Sequence, residues 1–305
     1  MNELKLAVVG LDISHVSRFR ELLNEPEFPY HLEGAKIVKA FPGGTEAFHL
    51  SASRVPEFSR EYEAAGIALA DSIEELTDCD GYCLMSSVGD QHLEQFRALA
   101  RFGKPVFIDK PLACSYRDAL AIAALAREAE VPVCSTSSFR FAAGIDDLLT
   151  ADDTEILGCQ VFGRMELFDD YRDYFWYGVH GADILYRIMG TGCVAVKAVR
   201  GEPADLLVGR WRDGRLGTIL AKRGGRWGFG CAVLTNADYR MGLAAKTPPS
   251  YRMLMEKLLR FFRTGESPVP LDETLEIMAF LEAASRSRAE GGKEVGFASF
   301  QDETL

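Results

Sequence analysis

No stretch of the chain holds about 18 consecutive apolar residues, so no membrane-spanning helix is expected. The start, Met1 through Lys5, passes into Leu6-Ala7-Val8-Val9 without the longer apolar stretch and small-residue cleavage site of a signal peptide. Cysteine is scarce and scattered. The seven residues (Cys79, Cys83, Cys114, Cys134, Cys159, Cys193 and Cys231) form no C-x-x-C pair and no Cys/His cluster. That excludes a disulfide framework and a zinc site, leaves no metal expected, and points to a reduced, cytoplasmic chain. Positive charge is short as well. With 34 Lys+Arg against 45 Asp+Glu, the net charge of −11 denies the chain the basic face that nucleic-acid phosphates require. The one local basic patch, Lys222, Arg223 and Arg226, is too small to reverse this.

What is present is ordinary globular material: 48% hydrophobic and 26% charged residues over 305 positions, a length that suggests two domains. Short apolar runs alternate with helical patterns over the first 140 residues. Strands are expected at Lys5–Gly10, Lys36–Phe41, Gly81–Ser86, Pro105–Ile108 and Val131–Thr136, with a weaker one at Ile67–Ala70. Helices are expected at His15–Asn24, Gln91–Phe102 and Tyr116–Glu128, the last capped by Ser115. Strands apolar on both faces and spaced by helices mean βαβ units and a parallel, doubly wound sheet. Later the pattern changes. Runs at Glu155–Leu167, Cys193–Val199, Asp205–Trp211, Leu216–Lys222 and Gly228–Thr235 read as antiparallel strands, two of them joined by an Asp213-Gly214 turn. Helices are expected at Gly181–Met189, Tyr251–Thr264 and Asp272–Ala289. The expected architecture is α/β: a Rossmann-type domain over 1–137, then an α+β domain over 138–305 with a mostly antiparallel, open-faced sheet.

The first βα turn reads Val9-Gly10-Leu11-Asp12-Ile13-Ser14-His15. A dinucleotide fold uses G-x-G-x-x-G here, so that the backbone turns tightly and approaches a pyrophosphate at a helix N-terminus. Only Gly10 is in place; Asp12 and His15 occupy the second and third glycine positions. A carboxylate there repels a pyrophosphate unless it turns away, and a plain βα turn capped by Asp12 or Ser14 is the alternative. The end of the second strand, Ala40-Phe41-Pro42-Gly43-Gly44, lacks the acidic residue that usually holds a ribose. Lys110, followed by Pro111 at a strand's carboxyl end, is more telling. Buried beside apolar walls, its pKa falls and it becomes a usable proton donor or acceptor.

The ordered segments Ser86-Ser87-Val88-Gly89-Asp90-Gln91-His92, Gly103-Lys104-Pro105-Val106, Asp109-Lys110-Pro111-Leu112-Ala113, Ser138-Phe139-Arg140-Phe141 and Gly178-Val179-His180-Gly181-Ala182-Asp183 resemble the Gfo/Idh/MocA family of glucose–fructose oxidoreductase and inositol dehydrogenase relatives. The resemblance runs over nearly the whole chain, through Gly265-Glu266-Ser267-Pro268-Val269 and the closing helices. It implies an oxidoreductase using NAD or NADP on a sugar, cyclitol or related polyol. By that resemblance Lys110 is the catalytic acid/base and His180 assists proton movement and binds the substrate hydroxyl. It places the cofactor against Gly10, Asp12, Ser14, His15, Ser86, His92, Asp109 and Lys110, and the substrate against Arg140, Asp173, Trp176, Tyr177 and His180. The chemistry is coherent, since hydride removal from a carbinol carbon must be coupled to loss of the hydroxyl proton.

Several readings stay open at this level. Family members often carry an aspartate four residues before the histidine, where this chain has Trp176; Asp173 or Tyr177 would have to substitute. His180 is alternatively a helix-start histidine satisfied by Asp183. Arg140 either anchors substrate or pairs with Asp146 or Asp147. His92 caps or opens its helix beside the cofactor. The aromatics Tyr171, Tyr174, Phe175, Trp176 and Tyr177 either stack on a sugar ring or pack between domains. A binding or regulatory protein, or a non-redox sugar-active enzyme of the same fold, is the alternative function. The uncovered sheet face implies self-association, as a homodimer or homotetramer.

Overall fold

The computed structural model of the chain describes residues 3–149 and 154–300; Met1 and Asn2, read above with the N-terminal segment, lie outside them. The elements in chain order are β1 (Leu4–Val9), α1 (His15–Asn24), β2 (Ala35–Phe41), α2 (His49–Ala64), β3 (Ala68–Leu69), β4 (Gly81–Leu84), α3 (His92–Ala100), β5 (Val106–Ile108), α4 (Tyr116–Glu128) and β6 (Val133–Cys134). There follow β7 (Ile156–Arg164), α5 (Gly178–Met189), β8 (Cys193–Val199), β9 (Ala204–Trp211), β10 (Leu216–Lys222), β11 (Phe229–Thr235), β12 (Tyr239–Leu243), α6 (Ser250–Thr264), α7 (Leu271–Ala289) and β13 (Val295–Gly296). The chain forms two compact units, Met1–Thr136 with Tyr251–Leu271, and Ser137–Ser250 with Asp272–Leu305. All of α6 but its first residue therefore belongs to the first unit.

In the first unit, six strands lie in the order β3-β2-β1-β4-β5-β6, every pair parallel. This is the doubly wound order in which ligands bind beyond the strands' carboxyl ends, at the switch between β1 and β4. The cause is visible in the residues. β4 and β5 are buried throughout, as a sheet covered on both faces demands. α1 buries His15, Val16, Phe19, Leu22 and Leu23, a stripe at helical spacing. Ser115 caps α4, its hydroxyl accepting from Asp118 N at 3.1 Å.

The second unit carries a seven-stranded sheet, β12-β11-β7-β10-β9-β8-β13. All its pairs are antiparallel except β7 with β10. β9 and β10 form the expected hairpin, with Gly214 at φ +91° in the turn. α5 lies on one face, and a Cβ on Gly181 would come within 2.9 Å of Ile219 Cγ2. Edge strand β12 leaves Tyr239, Met241 and Leu243 exposed. No helix among the described residues is long and apolar enough to cross a membrane.

Candidate active site

Gly10 closes the turn after β1 at φ +91°, where a Cβ would lie 2.4 Å from Ser86 N at the end of β4. Only glycine fits this conformation and this approach. Two backbone bonds tie the turn to the end of β2: Gly10 N to Phe41 O at 2.9 Å and Leu11 N to Pro42 O at 2.7 Å. Asp12 caps nothing. Its buried carboxylate accepts from Ser87 N (2.8 Å), Ser87 Oγ (2.8 Å) and Ser51 Oγ (2.6 Å), lacing the turn to β4 and α2. Ser14 makes no side-chain cap either, and no acidic residue stands in the first turn of α1. The helix therefore opens with its positive dipole end unscreened by side chains. Ser86 Oγ is buried and has no hydrogen-bond partner among the described residues, a donor held where a ligand group would satisfy it. The degraded fingerprint thus still fits a dinucleotide: the offending carboxylate is turned inward.

His92 is the first residue of α3, yet its ring does not cap the helix. It is wholly buried, with Nε2 2.8 Å from Ser86 O and Nδ1 3.1 Å from Leu112 O, so it clamps the end of β4 to the segment after Lys110. Burial lowers its pKa, and a neutral ring donates to one of the two carbonyls. Lys110 lies two residues past β5 and is 4% exposed, with Nζ 3.7 Å from Asp109 Oδ2. Burial drives its pKa down, against the opposing pull of Asp109. The same carboxylate meets His15 Nδ1 at 2.9 Å.

In the second unit, His180 stands in the first turn of α5, 5% exposed, with Nδ1 2.6 Å from Ser137 Oγ. Phe139 meets its ring edge-on at 5.2 Å between centroids, and Phe229 lies at 5.5 Å. Asp183, one turn on, is engaged by two further donors. That carboxylate accepts from Ser137 N and from Arg140 Nη1, the latter at 2.9 Å. Arg140 pairs with neither Asp146 nor Asp147 in these contacts; it is buried between Asp183 and Glu273, the latter at 2.5 Å. Arg187 takes Asp146, and Asp147 accepts from Gly144 N. Asp173 pairs with Arg288. Trp176 is 3% exposed among Phe168, Tyr171 and Tyr177, while Tyr177 is half-buried with its ring 4.5 Å from that of Trp227. Tyr171, Tyr174 and Phe175 are buried too, so these aromatics build the core of their own unit.

Residues 5–137 match the model of an oxidoreductase family with an NAD-binding Rossmann fold, Gfo/Idh/MocA. Over this span, just under half of the chain, it is similar to that family. No curated protein sequence matches it. Solved structures similar to it share the fold at low identity. Myo-inositol dehydrogenase from Lactobacillus casei, in complex with NAD(H) and myo-inositol, is 14% identical with a TM-score of 0.77, covering 96% of either chain. Myo-inositol 2-dehydrogenase from Lactobacillus plantarum is 13% identical with a TM-score of 0.77, over 97% of this chain and 99% of its own. The WlbA dehydrogenase from Bordetella pertussis, in complex with NADH and UDP-GlcNAcA, is 16% identical with a TM-score of 0.73, over 97% and 99%.

Sequence reasoning missed three partners: Ser137 for His180, Glu273 for Arg140, and the Ser51–Ser87 pair for Asp12. Ser137 directly precedes the Ser138-Phe139-Arg140-Phe141 segment, which is the one signal that pointed to it. Glu273 and Ser51 carry none, because nothing local marks a partner so distant in the chain.

Proposed function

We propose that this Gfo/Idh/MocA protein is a dehydrogenase that uses NAD or NADP to oxidise or reduce a CH–OH carbon of a sugar, cyclitol or related polyol. The observation that carries the reading is Lys110, a nearly buried amine past the end of β5 whose pKa burial lowers from its ordinary value. An amine so placed exchanges a proton with a substrate hydroxyl at moderate pH, which an exposed lysine does poorly. The cofactor, when bound, supplies the hydride acceptor or donor. Gly10, Ser14, the N-terminus of α1 and the unsatisfied Ser86 hydroxyl would hold it. His180 binds the substrate hydroxyl, oriented by Ser137 at Nδ1. Arg140, Asp173, Trp176 and Tyr177 are assigned to shaping the substrate pocket, Arg140 and Trp176 from within the packing.

The same reading places the protein in the cytoplasm, supported by seven buried cysteine thiols, none of them in a disulfide. It also includes self-association through the outer sheet face. Leu216, Tyr239, Met241 and Leu243 are 53, 84, 72 and 67% exposed, more apolar surface than an isolated subunit keeps without use. Sedimentation at micromolar concentration checks this, and a monomer would remove that part.

The central test is titration with NADH and NADPH, followed by energy transfer from tryptophan, and then turnover on a panel of polyols and sugars. Binding of at least one cofactor and turnover of at least one alcohol are expected. Lys110→Ala should cut turnover by about 10²–10⁴-fold while cofactor affinity stays within a few-fold. Binding of neither cofactor, or undiminished turnover in the variant, overturns the proposal.

A further inference from the structure

The two departures from the glycine fingerprint do different things. Asp12 binds the turn to its own neighbours, whereas His15 reaches the segment that carries Lys110. The His15 ring is buried, with the Tyr251 ring of α6 lying 4.9 Å away at an interplanar angle of 58°. Its Nδ1 is 3.1 Å from Asp109 Oδ1 and 2.9 Å from Oδ2. Asp109 Oδ2 is in turn 3.7 Å from Lys110 Nζ. His15, Asp109 and Lys110 are 8, 2 and 4% exposed, so solvent screens little of what passes between them. An ionised carboxylate only accepts, which makes His15 Nδ1 the protonated nitrogen.

We propose that His15 is a positioning residue for Lys110: its Nδ1–H fixes the Asp109 carboxylate and so sets how tightly that carboxylate holds the lysine proton. The role rests on Lys110 being the acid/base of the reaction proposed above.

The groups around the pair fix the signs. Lys110 faces Asp109 and Cys114, which favour its charged form, and Arg54 of α2, which opposes it. His15 faces Asp109, Lys110 and Arg54, with Tyr251 packed on its ring. Burial is the largest influence on both His15 and Lys110 and favours the neutral form of each. A neutral imidazole therefore donates to Asp109 without adding charge. That donation stabilises the carboxylate and weakens its hold on the lysine proton. Without the ring, the carboxylate is bare, water enters, and the Lys110 pKa rises. Without the carboxylate charge, the Lys110 pKa falls. A histidine that merely fills space would leave the Lys110 midpoint indifferent to whether an amide replaces it at the Nδ1 or the Nε2 position.

The experiment labels lysine Cε with ¹³C in the cofactor-free full chain and follows the Lys110 resonance, assigned by its loss in Lys110→Met, against pH. Asp109→Asn should lower the Lys110 midpoint by about 1 unit, and His15→Ala should raise it by about 0.5–1 unit. His15→Asn, whose amide nitrogen overlays Nδ1, should restore the wild-type midpoint. His15→Gln, whose amide overlays Nε2 instead, should behave like alanine and serves if the alanine variant does not fold. In turnover, the acid limb of kcat/KM for oxidation should move in the same directions. A Lys110 midpoint unmoved by loss of the ring, or equal for the Asn and Gln variants, overturns the proposal. If wild-type protein turns over no alcohol, the proposed function fails, and the cofactor-free titration still decides this point.

Discussion

In the first unit the candidate catalytic lysine sits against a carboxylate that is itself held by an imidazole, and charge is left close to where chemistry is expected. In the second unit the charges are spent on one another. Arg140 is closed between Asp183 and Glu273, and His180 is held by a serine hydroxyl. The contrast separates two uses of burial. Around Lys110, burial tunes a proton; around Arg140, it locks a scaffold next to His180. An aspartate four residues before His180 would have brought charge to that site as well, and Trp176 keeps it out.

Breaking the scaffold should have the largest effect on stability. Arg140→Met strands one buried and one half-buried carboxylate and should cost about 3–5 kcal/mol in urea unfolding. The pH dependence of that loss has a definite sign. Burial raises the Glu273 carboxyl above its ordinary 4.5, and Arg140 opposes the rise. A raised folded pKa gives stability that is complete below the unfolded value and is lost as pH rises through the folded one. Without Arg140 that loss deepens, so the variant's deficit should be greatest near neutral pH and shrink toward pH 4.5. A deficit that is independent of pH would mean that the arginine acts by packing alone.

Next comes the first unit's own buried carboxylate outside the lysine cluster. Asp12→Asn keeps the shape but turns one acceptor into a donor facing Ser51 or Ser87, and should cost about 1–3 kcal/mol in the same measurement. The smallest effect is expected at the serine hydroxyl. Ser137→Ala removes the 2.6 Å bond to His180 and should lower kcat/KM about fivefold, the kinetic equivalent of about 1 kcal/mol. A loss as large as that for Lys110→Ala would erase the distinction between the two regions.

Much of the fold was legible because its signals are local. Runs such as Leu6–Val9 and Gly81–Leu84 are apolar without alternation, and the parallel sheet follows from them. α2 escaped because it buries only Ser51, Phe58 and Tyr62 and carries Pro56 within it, which reads as a break. β12 is five residues with an exposed face, too brief to register against the turns around it. At the site, Lys110 and His180 stand in recognisable segments. Their partners are set by tertiary approach: Asp109 lies 94 residues from His15, and Ser137 lies 43 from His180. A pattern along the chain carries no information about such distances.

The return of α6 to the first unit bears on how the protein is made. Phe262 lies over Gly81 so closely that a Cβ there would meet its ring at 2.5 Å, and Tyr251 lies against His15. The Rossmann unit is thus complete only when residue 271 has left the ribosome, on the order of ten seconds after its last strand at ordinary rates of synthesis. During that interval the whole intervening segment of the second unit is being threaded out between two halves of one core. A fragment ending at residue 137 would carry all six strands and still present an uncovered apolar face, so the nucleotide domain is not a module that can be cut out and moved.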